Sequence, residues 1–185
     1  MGTDKSWLEL GGRAMIEHVI AALVPVTSSV AIIANDPQYA RLGFQVFADT
    51  NAGVGPLEAI RTALVNSTGA RVLLVGCDLP FVTTALFSFL LDLDGEHGAV
   101  VPLSGAGLLE PLCAVYSCEA LGPATELIAS GERKVSRLFD RLPTRFVTYD
   151  EIGHLRGAEL FFQNVNTRED YVRAAQLLGA PKVAE

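Results

Sequence analysis

Long apolar runs are missing from this 185-residue chain. The longest, such as residues 19–26 and 72–75, fall far short of the roughly 18 residues that a membrane-spanning helix needs. The N-terminal segment, residues 1–7, is polar and carries Asp4 and Lys5, so it reads as neither a secretory signal nor an Arg-rich transit peptide, and the cytoplasm is the expected compartment. Cysteine is scarce: Cys77, Cys113 and Cys118 show no Cys-x-x-Cys spacing and no neighbouring histidine ligands, which argues against a zinc site or a disulfide framework. Small buried thiols are the expectation. Basic residues are outnumbered, 14 Lys and Arg against 21 Asp and Glu, and no basic face is visible for nucleic acid. An acidic balance does not exclude a single nucleotide, which needs local donors and a metal rather than a basic protein. The three histidines, His18, His97 and His154, lack any obvious catalytic partner.

What the chain does contain is core material. Half of its residues are hydrophobic, enough for one folded domain across residues 1–185 and too many for disorder. Short β-branched runs at 30–34, 44–48, 71–75, 99–103, 112–116 and 145–149 read as strands. Helical spacing occupies 13–23, 56–65, 85–93, 118–129, 134–142 and 168–178, the last with Thr167 as cap and Gly179 as stop. The piece 104–107 reads as a turn between two strands. Nearly continuous apolar strands alternating with helices predict an α/β fold: a mostly parallel central sheet with helices on both faces, in three layers. Such sheets bind ligands beyond the carboxyl ends of their strands, and Asn35, Asp49 and Asp78 stand at three successive strand ends.

Each of these residues has two readings. Asp78, in Val75-Gly76-Cys77-Asp78-Leu79-Pro80, is a hard oxygen ligand suited to Mg²⁺ on a nucleotide phosphate, or a turn cap before Pro80. Asp49 carries the same pair of readings. Asn35 is a site residue, or the cap of a short helix begun at Asp36-Pro37. Gly53-Val54-Gly55-Pro56-Leu57 is a glycine-bearing loop running into a helix, whose first N–H groups attract anions. Lys5 is a compact charge for phosphate, or simply solvated. Asn164 and Asn166 share one side if extended, and their amides suit a heterocycle's donors and acceptors, or merely a loop leading into a helix. Gly131-Glu132-Arg133-Lys134 is a charged stretch whose plain reading is a solvated face.

The order of these pieces is more telling than any one of them. Met1-Gly2-Thr3-Asp4-Lys5, then Asn35, Asp49, Gly55-Pro56-Leu57, Cys77-Asp78-Leu79-Pro80, Gly131-Glu132-Arg133-Lys134 and Asn164-Val165-Asn166-Thr167 closely resemble the molybdenum cofactor guanylyltransferase (MobA-like) family, from Met1 to about Ala175. The resemblance implies a Rossmann-like nucleotidyltransferase fold. It implies transfer of GMP from GTP to the terminal phosphate of molybdopterin, with pyrophosphate released, in a Mg²⁺-dependent reaction. By the same resemblance, Lys5 contacts the nucleotide phosphates, Asn35, Asp49 and Gly55 help hold the nucleotide, Asp78 binds Mg²⁺, and Asn164 and Asn166 face the pterin substrate. A monomer is implied, with cofactor-inserting proteins or apo-molybdoenzymes as further partners. Sister readings remain open: a CTP-dependent enzyme on the same fold, or a non-catalytic relative that binds nucleotide or cofactor.

Two departures stand out. The family begins with a buried strand and a Leu-Ala-Gly-Gly…Arg-Met-Gly loop, whereas this sequence starts at what resembles the loop's final Met-Gly. Losing about five buried apolar residues would remove on the order of 7–15 kcal/mol, comparable to the stability of a whole domain. The expectation is therefore a longer natural polypeptide in which Met1 is internal. The second departure is Glu58-Ala59, where the family often has Ala-Gly, which is expected to put a charge near the phosphates.

Overall fold

The computed structural model describes residues 5–49, 55–93 and 95–179. Met1-Gly2-Thr3-Asp4 of the N-terminal string and Gly53-Val54 of the glycine-bearing loop lie outside them.

Alternation along the strands builds the layers. β5 (Arg71–Val75), β6 (Ala99–Pro102), β7 (Cys113–Ser117) and β8 (Thr144–Val147) form one sheet in the order β5-β7-β6-β8. Odd and even positions point to opposite faces, and both faces are apolar. On one face Leu73, Val75, Val100, Cys113, Val115 and Val147 meet α1 (Met15–Leu23) and α3 (Thr84–Asp92) through Val19, Leu86, Phe87 and Leu90. On the other, Val72, Leu74, Ala99, Val101, Ala114 and Tyr116 meet α2 (Pro56–Asn66), α4 (Leu121–Ala129) and α5 (Ser136–Phe139) through Leu57, Ile60, Ala124, Leu127 and Leu138. Each fully buried Val, Leu or Phe contributes about 1.5–3 kcal/mol, so this double-sided core is the main stabilising term. The three-layer α/β architecture is the expected one. The sheet itself is mixed, because β7 runs antiparallel to both β5 and β6 while β6 and β8 are parallel. The short turn after β6, closed by Gly107 N–H donating to the Ser104 carbonyl at 2.8 Å, returns the chain directly, which only an antiparallel neighbour permits.

A second, parallel pair joins β3 (Ala31–Ile33) to β4 (Gln45–Phe47), with Ile32 opposite Val46. Among the described residues no ladder joins this pair to β5. The residues of β5 are each only half-buried, whereas those of β6 and β7 are buried throughout. A two-stranded hairpin precedes α1, with β1 (Glu9–Leu10) paired to β2 (Arg13–Ala14). Its turn, Gly11-Gly12, has φ of 57° and 81°, the left-handed pair that matches the twist of a two-residue hairpin. Residues 13 and 14 are therefore strand rather than helix. The helix starts at Met15, where the Glu17 carboxylate accepts the Ala14 N–H at 2.8 Å.

Elsewhere the corrections are small. The 134–142 segment forms only the short α5. Tyr149–Ile152 turns into a short helix, α6, directly after β8. The C-terminal α7 (Arg168–Gly179) and the residues before it pack on the hairpin and the start of α1, where Ala174 and Val165 cluster with Leu10 and Met15, and Tyr171 Oη donates to the Glu9 carbonyl at 2.8 Å. Of the three cysteines only Cys113 is buried; Cys77 and Cys118 are exposed because each sits just past a strand end. No helix among the described residues is long and apolar enough to cross a membrane.

Candidate functional site

β5 ends in Val75, and the next three residues place Asp78. Gly76 N–H donates to the Leu112 carbonyl at 2.7 Å, continuing the ladder to β7 by one residue. The Asp78 carboxylate then folds back over Gly76: a Cβ added there would lie 2.6 Å from Asp78 Oδ1. A Cβ at 76 would therefore displace the Asp78 carboxylate, although the backbone angles there would accept one. Among the described residues no hydrogen bond or ion pair engages the Asp78 carboxylate, so it does not cap the turn before Pro80. It is a half-buried oxygen donor lying over the bare Cα of Gly76.

The backbone of Asp78 is tied to the C-terminal loop, where Val165 N–H donates to the Asp78 carbonyl at 3.0 Å. Val165 is buried, and Asn164 and Asn166 on either side of it are exposed, the alternation of an extended segment. Asn166 Oδ1 accepts from Lys5 Nζ at 2.7 Å, so a residue near the start of the chain and one near its end meet next to Asp78. Both partners are locally fixed. Lys5 sits on a 3₁₀ turn, Lys5–Trp7, where Ser6 Oγ bonds the Tyr39 hydroxyl. There Trp7 packs against Tyr39 at 5.0 Å, and Arg41 lies 3.8 Å over the Trp7 ring. Asn166 precedes a reciprocal cap: Thr167 Oγ1 accepts the Asp170 N–H at 3.1 Å, while Asp170 Oδ2 accepts the Thr167 and Asn166 N–H groups at 2.9 and 3.2 Å. Those donors hold the Asp170 carboxyl below the usual range. The Thr167 cap expected from the sequence is realised.

Asn35 and Asp49 form a second group at the ends of β3 and β4. Asn35 Oδ1 accepts the Asp49 N–H at 2.9 Å, which splints the two strand ends together. The helical turn after Asn35 is capped by Asp36 instead, whose carboxylate accepts the Gln38 N–H at 2.9 Å. Gly55 caps α2 with a φ of 84° and a ψ of −153°, a combination open essentially to glycine alone, with Pro56 in the first turn. Glu58 corrects an expectation. Its side chain is fully buried and points into the protein, where Arg61 grips it in a two-pronged pair, Nε to Oε2 at 2.9 Å and Nη2 to Oε1 at 2.5 Å. A residue one turn along the same helix neutralises the charge that sequence alone placed near the phosphates.

Glu110 is a residue that sequence reading missed. It stands in the turn before β7, half-buried, and its carboxyl is pushed up to about 7, first by burial and then by the negative charge of Asp78. Two carboxylates therefore face one region, one of them reluctant to ionise. The available signal was Glu110-Pro111 immediately before a buried strand, a charge where the chain is about to be covered. Gly131-Glu132-Arg133-Lys134 is structural in part: the Glu132 carboxylate accepts the Arg133 and Lys134 N–H groups at 2.8 and 2.9 Å, closing the end of α4. His18 donates a ring N–H to the Leu10 carbonyl at 2.8 Å, and His154 packs edge-on against Phe89.

Comparison with known proteins bears on this geometry. A family model described as the MobA-like NTP transferase domain matches residues 1–146. The probable molybdenum cofactor guanylyltransferase of Pelotomaculum thermopropionicum is 34% identical over 94% of this chain and 85% of its own length. The molybdenum cofactor guanylyltransferase of Shewanella sp. (strain MR-4) is 32% identical over 94% of this chain and 87% of its own. Among solved structures, molybdopterin-guanine dinucleotide biosynthesis protein A of Archaeoglobus fulgidus superposes with a TM-score of 0.81, at 23% identity, over 96% of this chain and 92% of that one. The 2-C-methyl-D-erythritol 4-phosphate cytidylyltransferase of Thermus thermophilus has a TM-score of 0.70 at 18% identity, covering 95% and 94% of the two chains.

Proposed function

We propose that this chain, which belongs to the MobA-like NTP transferase family, is a molybdenum cofactor guanylyltransferase that joins GMP from GTP to the terminal phosphate of molybdopterin. Beyond the relatives' names, one observation carries the reading: Lys5, Asp78 and Asn166, far apart in sequence, are brought together at the end of β5 by the 2.7 Å Lys5–Asn166 bond and the 3.0 Å Val165–Asp78 bond. A cation and an unengaged carboxylate at one strand end suit nucleotidyl transfer, in which charge grows on phosphate oxygens.

The donor set suits Mg²⁺. Among the described residues no group of three or more His, Cys, Asp or Glu side chains gathers around a metal position, so an ion held here would take most of its ligands from phosphates and water, as Mg²⁺ commonly does with one or two carboxylates. Asp78 would hold it, and when bound it neutralises charge on the phosphate oxygens. In the transfer, a phosphate oxygen of the acceptor attacks the α-phosphorus of GTP. The bond from that phosphorus to the bridging oxygen breaks, and pyrophosphate leaves with the electron pair. Lys5 Nζ, turning from Asn166 Oδ1 to the phosphates, stabilises the charge that grows on the leaving oxygens. Asn35 and Asp49 hold the nucleoside, Gly55 lets the backbone pass close to it, and Asn164 and Asn166 offer amides to the pterin. No covalent enzyme intermediate is required.

A second reading keeps the fold, which the Thermus cytidylyltransferase shares, and puts CTP in place of GTP. One assay separates them: pyrophosphate release with molybdopterin and either GTP or CTP, with and without Mg²⁺. Metal-dependent release with GTP, exceeding that with CTP, is the expected result. Release with CTP alone would move the protein to the sister activity, and none with either would refute transferase activity for this chain.

A further inference from the structure

The Glu58–Arg61 pair does more than join neighbouring turns of a helix. A carboxylate taken fully out of water loses its hydration, and apolar residues of the same volume generally stabilise a core as well or better. Adhesion of α2 to the sheet is already supplied by Leu57, Ile60 and Leu64. What the pair adds is a guanidinium fixed in place, planar and oriented by two bonds, with about a fifth of its surface exposed. That group lines a groove with Phe47, Ala48 and Thr62, so it faces the last residue of β4 and the residue immediately before Asp49. The charge of Asp49 adds to the effects of Glu58 in keeping Arg61 protonated. The other polar side chains of α2 in this groove are turned elsewhere: Asn66 donates to the Thr62 carbonyl at 2.8 Å, and the Thr62 hydroxyl is buried without a hydrogen-bond partner among the described residues.

We propose that Arg61, oriented by the buried Glu58, is a positioning residue that holds the Asp49 end of β4 in place for the nucleotide. The fixed cation works from the helix side and the Asn35 amide from the strand side, where it accepts the Asp49 N–H. The proposal rests on the guanylyltransferase reading for its consequence, though not for its geometry.

The test uses two readouts on the whole chain. In the double variant E58L/R61M the domain keeps its fold and melting temperature. Exchange of the Asp49 amide hydrogen rises about tenfold. The KM for GTP rises about tenfold while kcat stays within about twofold, the signature of lost substrate positioning rather than lost chemistry. Arg61→Lys, which keeps the charge without the fork, falls between parent and double variant. Unchanged Asp49 exchange together with unchanged KM in a folded double variant would overturn the proposal. Should the double variant fail to fold, Arg61→Lys decides by the same two measurements. If the parent chain turns over no nucleotide, the guanylyltransferase reading falls, and Asp49 exchange still decides the role of Arg61.

Discussion

Replacing Gly76 by alanine separates the site from the fold more cleanly than removing any functional group. The new methyl would stand 2.6 Å from Asp78 Oδ1, roughly 0.8 Å inside the nearest ordinary contact distance. Its next neighbour, the Leu112 carbonyl oxygen, is at 3.7 Å and needs no adjustment. Gly76 does not have a positive φ, so alanine is sterically accepted by the backbone and reduces unfolded-chain freedom by about 0.4–1 kcal/mol. The Asp78 side chain is short and, among the described residues, unpaired, and it relieves the clash by rotating away at a cost of about the same size. Net stability is therefore expected within about 1 kcal/mol of the parent, while the carboxylate leaves its position by about 1 Å or more. A displacement of that size costs on the order of a hundredfold in rate. The assay pairs urea denaturation with Mg²⁺-dependent pyrophosphate release. A G76A chain with parental turnover would refute the argument that a Cβ at 76 displaces the Asp78 carboxylate. A chain that loses several kcal/mol would show that Gly76 serves the fold instead.

Other expectations follow from the same geometry. Because the folded chain holds the Glu110 carboxyl up at about 7 against 4.5 ordinarily, it keeps a proton that the unfolded chain loses. Stability in EDTA should fall as pH rises from about 4.5 to about 7 and stay lower above, by roughly 1–2 kcal/mol once solvent screening of this half-buried group is allowed for. Glu110→Gln should remove that slope, gaining stability at pH 8 and none at pH 4 in thermal melts; a variant no more stable at pH 8 would refute the burial argument. Lys5→Ala should lower kcat about a hundredfold or more with little effect on melting temperature, since its bond to Asn166 is at the surface. Asn166→Ala should chiefly raise the KM for the pterin substrate, by about tenfold. Equal effects of both variants on kcat alone would assign Asn166 to the phosphates rather than to the pterin.

Much of this protein is written locally. The alternation in 71–75, 99–102 and 113–117 dictates strands buried on two faces, because side chains of successive strand residues must point opposite ways. Pro56 after Gly55 starts α2, and Thr167 with Asp170 starts α7, from bonds that reach only three residues. The polar residues at strand ends, Asn35, Asp49 and Asp78, were legible for the same reason: a strand that stops is visible in its own sequence. Tertiary structure alone decided which polar residues lie together. Lys5 and Asn166 are 161 positions apart, and only the docking of α7 on the β1–β2 hairpin brings them into contact. The reversal of β7, the inward turn of Glu58 onto Arg61 and the closeness of Glu110 to Asp78 were equally invisible. Periodicity reports which face a residue takes, whereas the energy of a charge depends on what lies across the fold from it.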